Sequence, residues 1–389
     1  MALLRIRGWI NREQSKRTFI NTTGDHWITV AFVLLETLGF VVSVPHDVLS
    51  VIYFVTLFIY TIYIFLVIKV QIFSGVGLFC VYLLLFVQSG FLMQFVYNPI
   101  CQEAHYVVIA YNVLAPVLLS ILKSRIHHTK TQLKHVEFKE IWLELFFYVG
   151  VVSMIVYYVS AGFIPLFAED GENARVAAMA GRGKFVVLAS NCFTFAILLT
   201  KSKVKRVIRL ALSVLLLIGT GYRSSALELL LLLFIVFIIG NGRKYIAKGI
   251  AFVILLCFLY SIIGVLRSNT AWSWVGLYKP MLWRFYVNSS NLGVIIERFP
   301  KNQFMLGKAF IQDISVLLPG AQDTFMTQLK TIMNYQFPGG SLTPTLFGEG
   351  YYNWSYLGAV FWPLFILTLV VLLDDYIKYH FDGRIYYIF

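Results

Sequence analysis

Cysteine is scarce in this chain: Cys80, Cys101, Cys192 and Cys257 are all it has. Three of them fall inside apolar runs and only Cys101 lies outside, which argues against the disulfide framework of a small secreted fold. Histidine is sparse and badly spaced for metal chemistry. His127, His128 and His135 sit in a basic linker, His46 and His105 are isolated, and no His, Cys and carboxylate group has ligand spacing. A glycine-rich phosphate loop of the Walker type is missing, and with it the case for a nucleotide-driven enzyme. Any energy for chemistry must come with the substrate. No small-residue cleavage site follows the charged N-terminal stretch, so no cleavable signal peptide is expected. Internal repeats and low-complexity tracts are also lacking.

Charge is the other scarcity, at 13% of residues against 59% hydrophobic. That balance is wrong for a soluble domain and right for a polytopic membrane protein. Exposed strand edges are not tolerated in lipid, so the apolar runs read as helices. Ten spans are expected, near 28–44, 48–68, 72–97, 104–122, 141–164, 184–200, 207–221, 224–240, 249–266 and 354–373.

The net charge of +13 is not a nucleic-acid signature, because the basic residues form short clusters between spans. One cluster precedes the first span (Arg5 to Arg17). Others follow the fourth (Lys123 to Lys139), the sixth (Lys201 to Arg206) and the eighth (Arg243 to Lys248). Alternating spans put all four on one side, which the positive-inside rule makes cytoplasmic, with both termini there. Segments 45–47, 98–103, 165–183 and the long 267–353 then face outward.

The chemistry-bearing residues gather on that outer side. Gly219-Thr220-Gly221-Tyr222-Arg223-Ser224-Ser225 is a polar turn wedged between two apolar runs. The run before it, 207–218, would span only about 20 Å of a roughly 30 Å hydrocarbon core. Arg223 would then sit below the outer surface, where an arginine is costly without an anionic partner. Ser224 and Ser225 can cap the next helix, whose N-terminus adds partial positive charge beside it. Arginine forks suit phosphate oxygens. The alternative is an arginine that snorkels and merely ends a helix.

Segment 165–183 holds Glu169, Asp170, Glu172, Arg175 and Arg182, with Gly181 and Gly183 allowing close backbone approach. It reads equally as a solvated loop with local ion pairs. The long segment opens with Arg267, Trp272, Trp274, Lys279 and Trp283-Arg284-Phe285-Tyr286. Within 321–333, Phe325, Met326, Leu329, Ile332 and Met333 share a helical face, predicting an amphipathic helix on the membrane surface. A turn-rich stretch, 338–344, leads to Phe347-Gly348-Glu349-Gly350-Tyr351-Tyr352-Asn353-Trp354 before the last span. The aromatic residues suit interfacial anchoring, but Glu349 between two glycines is not explained by anchoring. Glu36 and Glu228, inside spans, read as interhelical hydrogen-bonding groups. Asn21, Asn288 and Asn353 match the glycosylation sequon, a pattern short enough to arise by chance.

Taken in order along the chain, four pieces resemble the bacterial O-antigen and capsule repeat-unit polymerases of the Wzy type. They are Gly162-Phe163-Ile164-Pro165-Leu166-Phe167 with Arg175, then Gly219–Ser225 opening a leucine-rich span, then Arg284. The fourth is Ser341-Leu342-Thr343-Pro344-Thr345 leading to Gly348–Asn353 and Gly358. They cover the second half of the chain. An Arg-x10-Gly pattern described for outer loops of some members is not found from Arg175, Arg182, Arg267 or Arg284.

The resemblance implies an all-α, GT-C-like membrane glycosyltransferase of the bacterial inner membrane, its site facing the exterior. It would move a growing glycan from undecaprenyl diphosphate to the next lipid-linked repeat unit, without metal or other cofactor. Its partners would be the lipid-linked donor and acceptor, membrane lipids and a chain-length regulator. Charge developing on the diphosphate calls for fixed cations: Arg223 first, then Arg175 and Arg284, with Arg182 and Arg267 behind them. Tyr222, Tyr351 and Asn353 complete the expected binding residues. A hydroxyl acceptor benefits from a general base, for which Glu349 ranks first and Asp170 second.

Three rivals stand beside this reading. An O-antigen ligase is expected to use an outer-loop histidine, and 267–353 has none. A lipid-linked oligosaccharide flippase or other transporter usually shows repeated halves and a midplane site. The third is a non-catalytic regulator or scaffold.

Overall fold

The computed structural model describes residues 29–34, 36–41, 47–71, 74–93, 99–125, 139–168, 174, 177–179, 181–200, 202–221, 229, 274–301, 303–315, 325–334 and 344–380. Among them every regular element is helical. Five helices are long and apolar enough to cross a membrane: Val48–Val67, Gly75–Leu92, Gln102–Ser124, Glu140–Ala161 and Thr345–Ile377. Thr29–Val41 and Gly183–Leu199 are shorter apolar helices. The expected spans at 224–240 and 249–266 lie outside the described residues, Leu229 excepted.

The chain divides into two compact units. The first contains α1 (Thr29–Val41), α2 (Val48–Val67), α3 (Gly75–Leu92), α4 (Gln102–Arg125), α8 (Trp274–Arg298), α11 (345–353) and α12 (356–380) as far as Asp374. Tyr53, Leu57 and Tyr60 on α2 repeat at helical spacing and are buried with Val108, Tyr111 and Ala115 of α4. Glu36 on α1 accepts a 2.7 Å bond from the Thr61 hydroxyl on α2, the interhelical role expected of it.

Two of these helices change pitch. The last turn of α2, Tyr63–Val67, and the middle of α3, Leu84–Gln88, are π-helical, and α3 then tightens to 3-10 geometry over Ser89–Leu92. Such shifts make backbone carbonyls available to side chains, and here they are used. Tyr53 donates to the Gln88 carbonyl at 2.7 Å, and Ser289 on α8 donates to the Val87 carbonyl. Lys123 donates to the Ile68 carbonyl at 2.8 Å, just past the end of α2. At the start of α3, Ser74 accepts from Gly77 and Asp374 of α12 accepts from Gly75 at 2.8 Å, satisfying two amides the helix cannot.

Helix α8 lies within 267–353, the segment read as a long outer loop. It has 25 residues, and Tyr286, Leu292, Ile295 and Ile296 are buried within the first unit. Gly90 on α3 meets it so closely that a Cβ there would lie 2.8 Å from the Phe285 carbonyl oxygen.

The second unit contains α5 (Glu140–Ala161), α6 (Gly183–Leu199), α7 (Lys203–Gly219), α9 (Lys308–Ser315) and α10 (Phe325–Ile332). Phe147, Met154 and Tyr157 on α5 pack with Ala189, Phe193 and Ala196 on α6. Gly150 lets Phe193 in, since a Cβ there would come within 2.6 Å of the ring. Helix α5 ends at Gly162 in the left-handed region, φ 80°, the usual C-terminal stop.

Helix α7 also departs from expectation. It starts at Lys203, inside the basic cluster, and its 17 residues reach about 26 Å. Two of its basic residues, Lys205 and Arg209, are answered by α5. Lys205 pairs with Glu140 and Glu144 at 3.3 and 3.2 Å. Arg209, buried, lies 3.9 and 3.8 Å from the same carboxylates, donates to the Thr200 hydroxyl and covers the Phe147 ring. The longer helix removes much of the argument that the following turn is deeply recessed. In α10, Phe325, Leu329 and Met333 form a buried seam while Ile332 is exposed, so the expected face is narrower.

Candidate active site

The stretch Thr345–His380 is two helices, because Trp354 and Ser355 leave helical geometry, Ser355 at φ 59°. The consequence shows in a single bond. Trp362 Nε1 donates to Glu349 Oε2 at 3.2 Å. On an unbroken helix, residues thirteen apart would stand about 20 Å apart along the axis. The chain therefore folds back, laying α11 against the start of α12.

Glycine makes the fold-back close enough. A Cβ on Gly350 would lie 2.5 Å from the Gly358 carbonyl carbon, and one on Gly358 would lie 2.9 Å from the Gly350 carbonyl carbon. The two backbones touch, an approach open only to glycine.

Around this hairpin the first unit builds a dense aromatic wall. Phe347 meets Tyr111 edge-on at 5.1 Å. Tyr351 donates to the Ile296 carbonyl of α8 at 3.2 Å and packs between Phe304 and Tyr356. Met305 donates its amide to the Tyr352 carbonyl at 2.9 Å, fixing the end of α11. Asn353 is buried and donates to the Glu349 carbonyl at 2.9 Å. Its side chain thus holds the last turn of α11, and burial leaves no room for a glycan on the Asn353 sequon. Glu349 is half-buried and within electrostatic reach of the Tyr82 phenol on α3.

Of the predicted residues, then, Glu349, Tyr351 and Asn353 share one short helix. The backbone of Arg284 lies on α8, which this helix contacts through Ile295 and Ile296. Arg182 belongs to the second unit, beside Gly181 at φ 68°, and its guanidinium donates to the Ala177 carbonyl at 3.1 Å. Asp170, Arg175, Tyr222, Arg223 and Arg267 lie outside the described residues. Before Tyr222, the turn closes α7 with buried Thr220 and with Gly221 at φ 73°.

The model of the family "Putative O-antigen polymerase" matches residues 29–389, nearly the whole chain. The chain belongs to that family. No curated protein and no solved structure matches it. Membership makes this a membrane protein of polysaccharide biosynthesis with glycosyltransferase-like activity toward lipid-linked oligosaccharides. The GEGYYN segment singled out by resemblance lies inside the family match.

Trp362 is the site residue that sequence reasoning missed. It sits in an apolar run, thirteen residues from Glu349, and nothing local marks the turn at Trp354–Ser355. The Gly350 and Gly358 pair was the available signal, since two glycines facing each other permit backbone contact.

Proposed function

We propose that this polymerase joins undecaprenyl-diphosphate-linked repeat units on the outer face of the cytoplasmic membrane, with Glu349 as general base. The supporting observation is the half-buried Glu349 carboxylate, held on a short helix against Trp362, within a chain that matches the O-antigen polymerase family from residue 29 to 389. In the reaction an acceptor sugar hydroxyl attacks the anomeric carbon of the donor glycan. Glu349 takes the hydroxyl proton as the new glycosidic bond forms. The bond to the diphosphate breaks, and its electron pair leaves with the lipid diphosphate. Direct displacement inverts the anomeric centre.

Arg223 is proposed as the leading cation for the departing diphosphate, with Arg175 and Arg284 ranked next and Arg182 and Arg267 behind them. Asp170 is the second choice of base. Fixed cations aimed at developing charge lower the barrier without reorganisation, so neither a metal nor a nucleotide is required by this scheme. Cleavage of the bond between the donor glycan and its lipid diphosphate supplies the energy.

The test is polymerisation by the purified chain in liposomes containing lipid-linked repeat units. Wild type should give a ladder of products, and Glu349→Gln and Arg223→Ala should leave single units. Arg223→Lys should recover little, because the planar fork is lost. Wild-type chain length in Arg223→Ala would refute the diphosphate assignment, and in Glu349→Gln the base assignment.

A further inference from the structure

Catalytic carboxylates depend on what holds them, and Glu349 is held by a residue from the helix that follows the turn. Trp362 Nε1 lies 3.2 Å from Glu349 Oε2. The indole itself is fixed by aromatic neighbours, Trp354 at 5.8 Å and Phe365 at 5.5 Å between ring centroids. Gly350 and Gly358 set the distance between the two helices, so the reach of the indole is determined by backbone contact. An indole N–H can only donate. It therefore favours the carboxylate over the carboxylic acid and fixes which oxygen is engaged.

We propose that Trp362 is the positioning residue of the polymerase, acting through Glu349 by donating to Oε2, so that the carboxylate stays ionised and oriented toward the acceptor hydroxyl. This rests on Glu349 being the base. Tyr82 on α3 lies within electrostatic reach of the same carboxylate and would oppose its charge only if itself ionised.

The experiment measures kcat, KM for the acceptor and the pH–rate profile in liposomes for Trp362→Phe and Trp362→His. Trp362→Phe keeps a ring and removes the donor. A hydrogen bond to a charged group is worth roughly tenfold to a hundredfold in rate when lost. The expected result is a fall in kcat of that size with acceptor KM within about twofold. The acid limb of the profile should move to higher pH, since a half-buried carboxylate without its donor holds a proton more tightly. Trp362→His, which restores a ring N–H, should recover part of the loss.

An unchanged kcat and pH profile in Trp362→Phe would overturn the proposal. A fully active Glu349→Gln enzyme would instead overturn the base assignment beneath it. If Trp362→Phe does not fold, replacing Trp362 with its sulfur isostere, benzothienylalanine, removes the N–H with ring shape intact and reads the same outcomes.

Discussion

Replacing Gly350 with alanine adds one carbon where the structure has no space for it. The new Cβ would stand 2.5 Å from the Gly358 carbonyl carbon and 2.9 Å from the Ala359 amide nitrogen, both backbone atoms. Ordinary contact needs about 3.4 Å or more, so α11 and α12 must separate by roughly 1 Å. Overpacking of this kind costs about 1–3 kcal/mol, with the upper end expected because no rotamer change relieves a backbone clash. Alanine returns about 1 kcal/mol of helix propensity. The net loss should be about 2 kcal/mol. The same displacement carries the 3.2 Å Glu349–Trp362 bond beyond hydrogen-bonding range. Gly348→Ala is the matched control on the same helix. Its Cβ would meet the flexible tip of Ile295 at 2.9 Å and Pro344 Cβ at 3.2 Å, so modest side-chain movement suffices. Thermal unfolding followed by size-exclusion in detergent should place Gly350→Ala several degrees below Gly348→Ala, with little polymer formed. Equal stability and equal activity of the two variants would refute the close-contact hairpin.

Arg209→Met should destabilise the chain by about 1–2 kcal/mol, because a buried guanidinium bridging Thr200 and two partly exposed carboxylates is lost; Arg209→Lys should restore part of it in the same unfolding assay. Asp47 caps α2: hydrogen bonds from the Ser50 hydroxyl and, at 2.8 Å, from the Ser50 amide hold its carboxyl below the ordinary range. Its contribution, about 1 kcal/mol for such a cap, is therefore full above the unfolded value near 3.9 and fades as pH falls through the lower folded value. The melting gap between wild type and Asp47→Ala should close in acid, while Asp47→Ser should not show that closure. Burial pushes the Cys101 thiol up to about 11, so it is protonated at neutral pH. An impermeant maleimide should label it slowly from outside the cell and faster as pH rises, whereas labelling only from the cytoplasmic side would invert the proposed topology.

The long apolar helices were legible in the sequence because α2 through α5 are continuous runs whose length alone decides between core and membrane. Three features were not. Helix α7 begins four residues before its expected start at 207, because Arg209 and Lys205 are answered by Glu140 and Glu144 from another helix, and no single-helix pattern shows that. Helix α8 carries Lys279, Arg284, Asn288 and Asn291, which read as aqueous, yet Ser289 on the same helix is buried and spent on an α3 carbonyl. The hairpin at Trp354–Ser355 contains neither proline nor glycine at the break, so the sequence runs into the last span without punctuation. Glu349 was found from its glycine neighbours, but its partner Trp362 could be found only once the chain was seen to double back.

The π-helical turn at Leu84–Gln88 fixes how many residues α3 must have. A π turn holds one residue more than the α turn it replaces, and deleting that residue would restore regular pitch while rotating everything beyond it by about 100°. Gly90 would swing away from Phe285 and Ser289, and the carbonyls of Val87 and Gln88 would leave Ser289 and Tyr53. Along this stretch substitutions can be absorbed by neighbouring side chains, but a single-residue deletion would uncouple α3 from both α2 and α8. Tolerance to insertion and deletion in the first unit is thus set by pitch, independently of hydrophobicity.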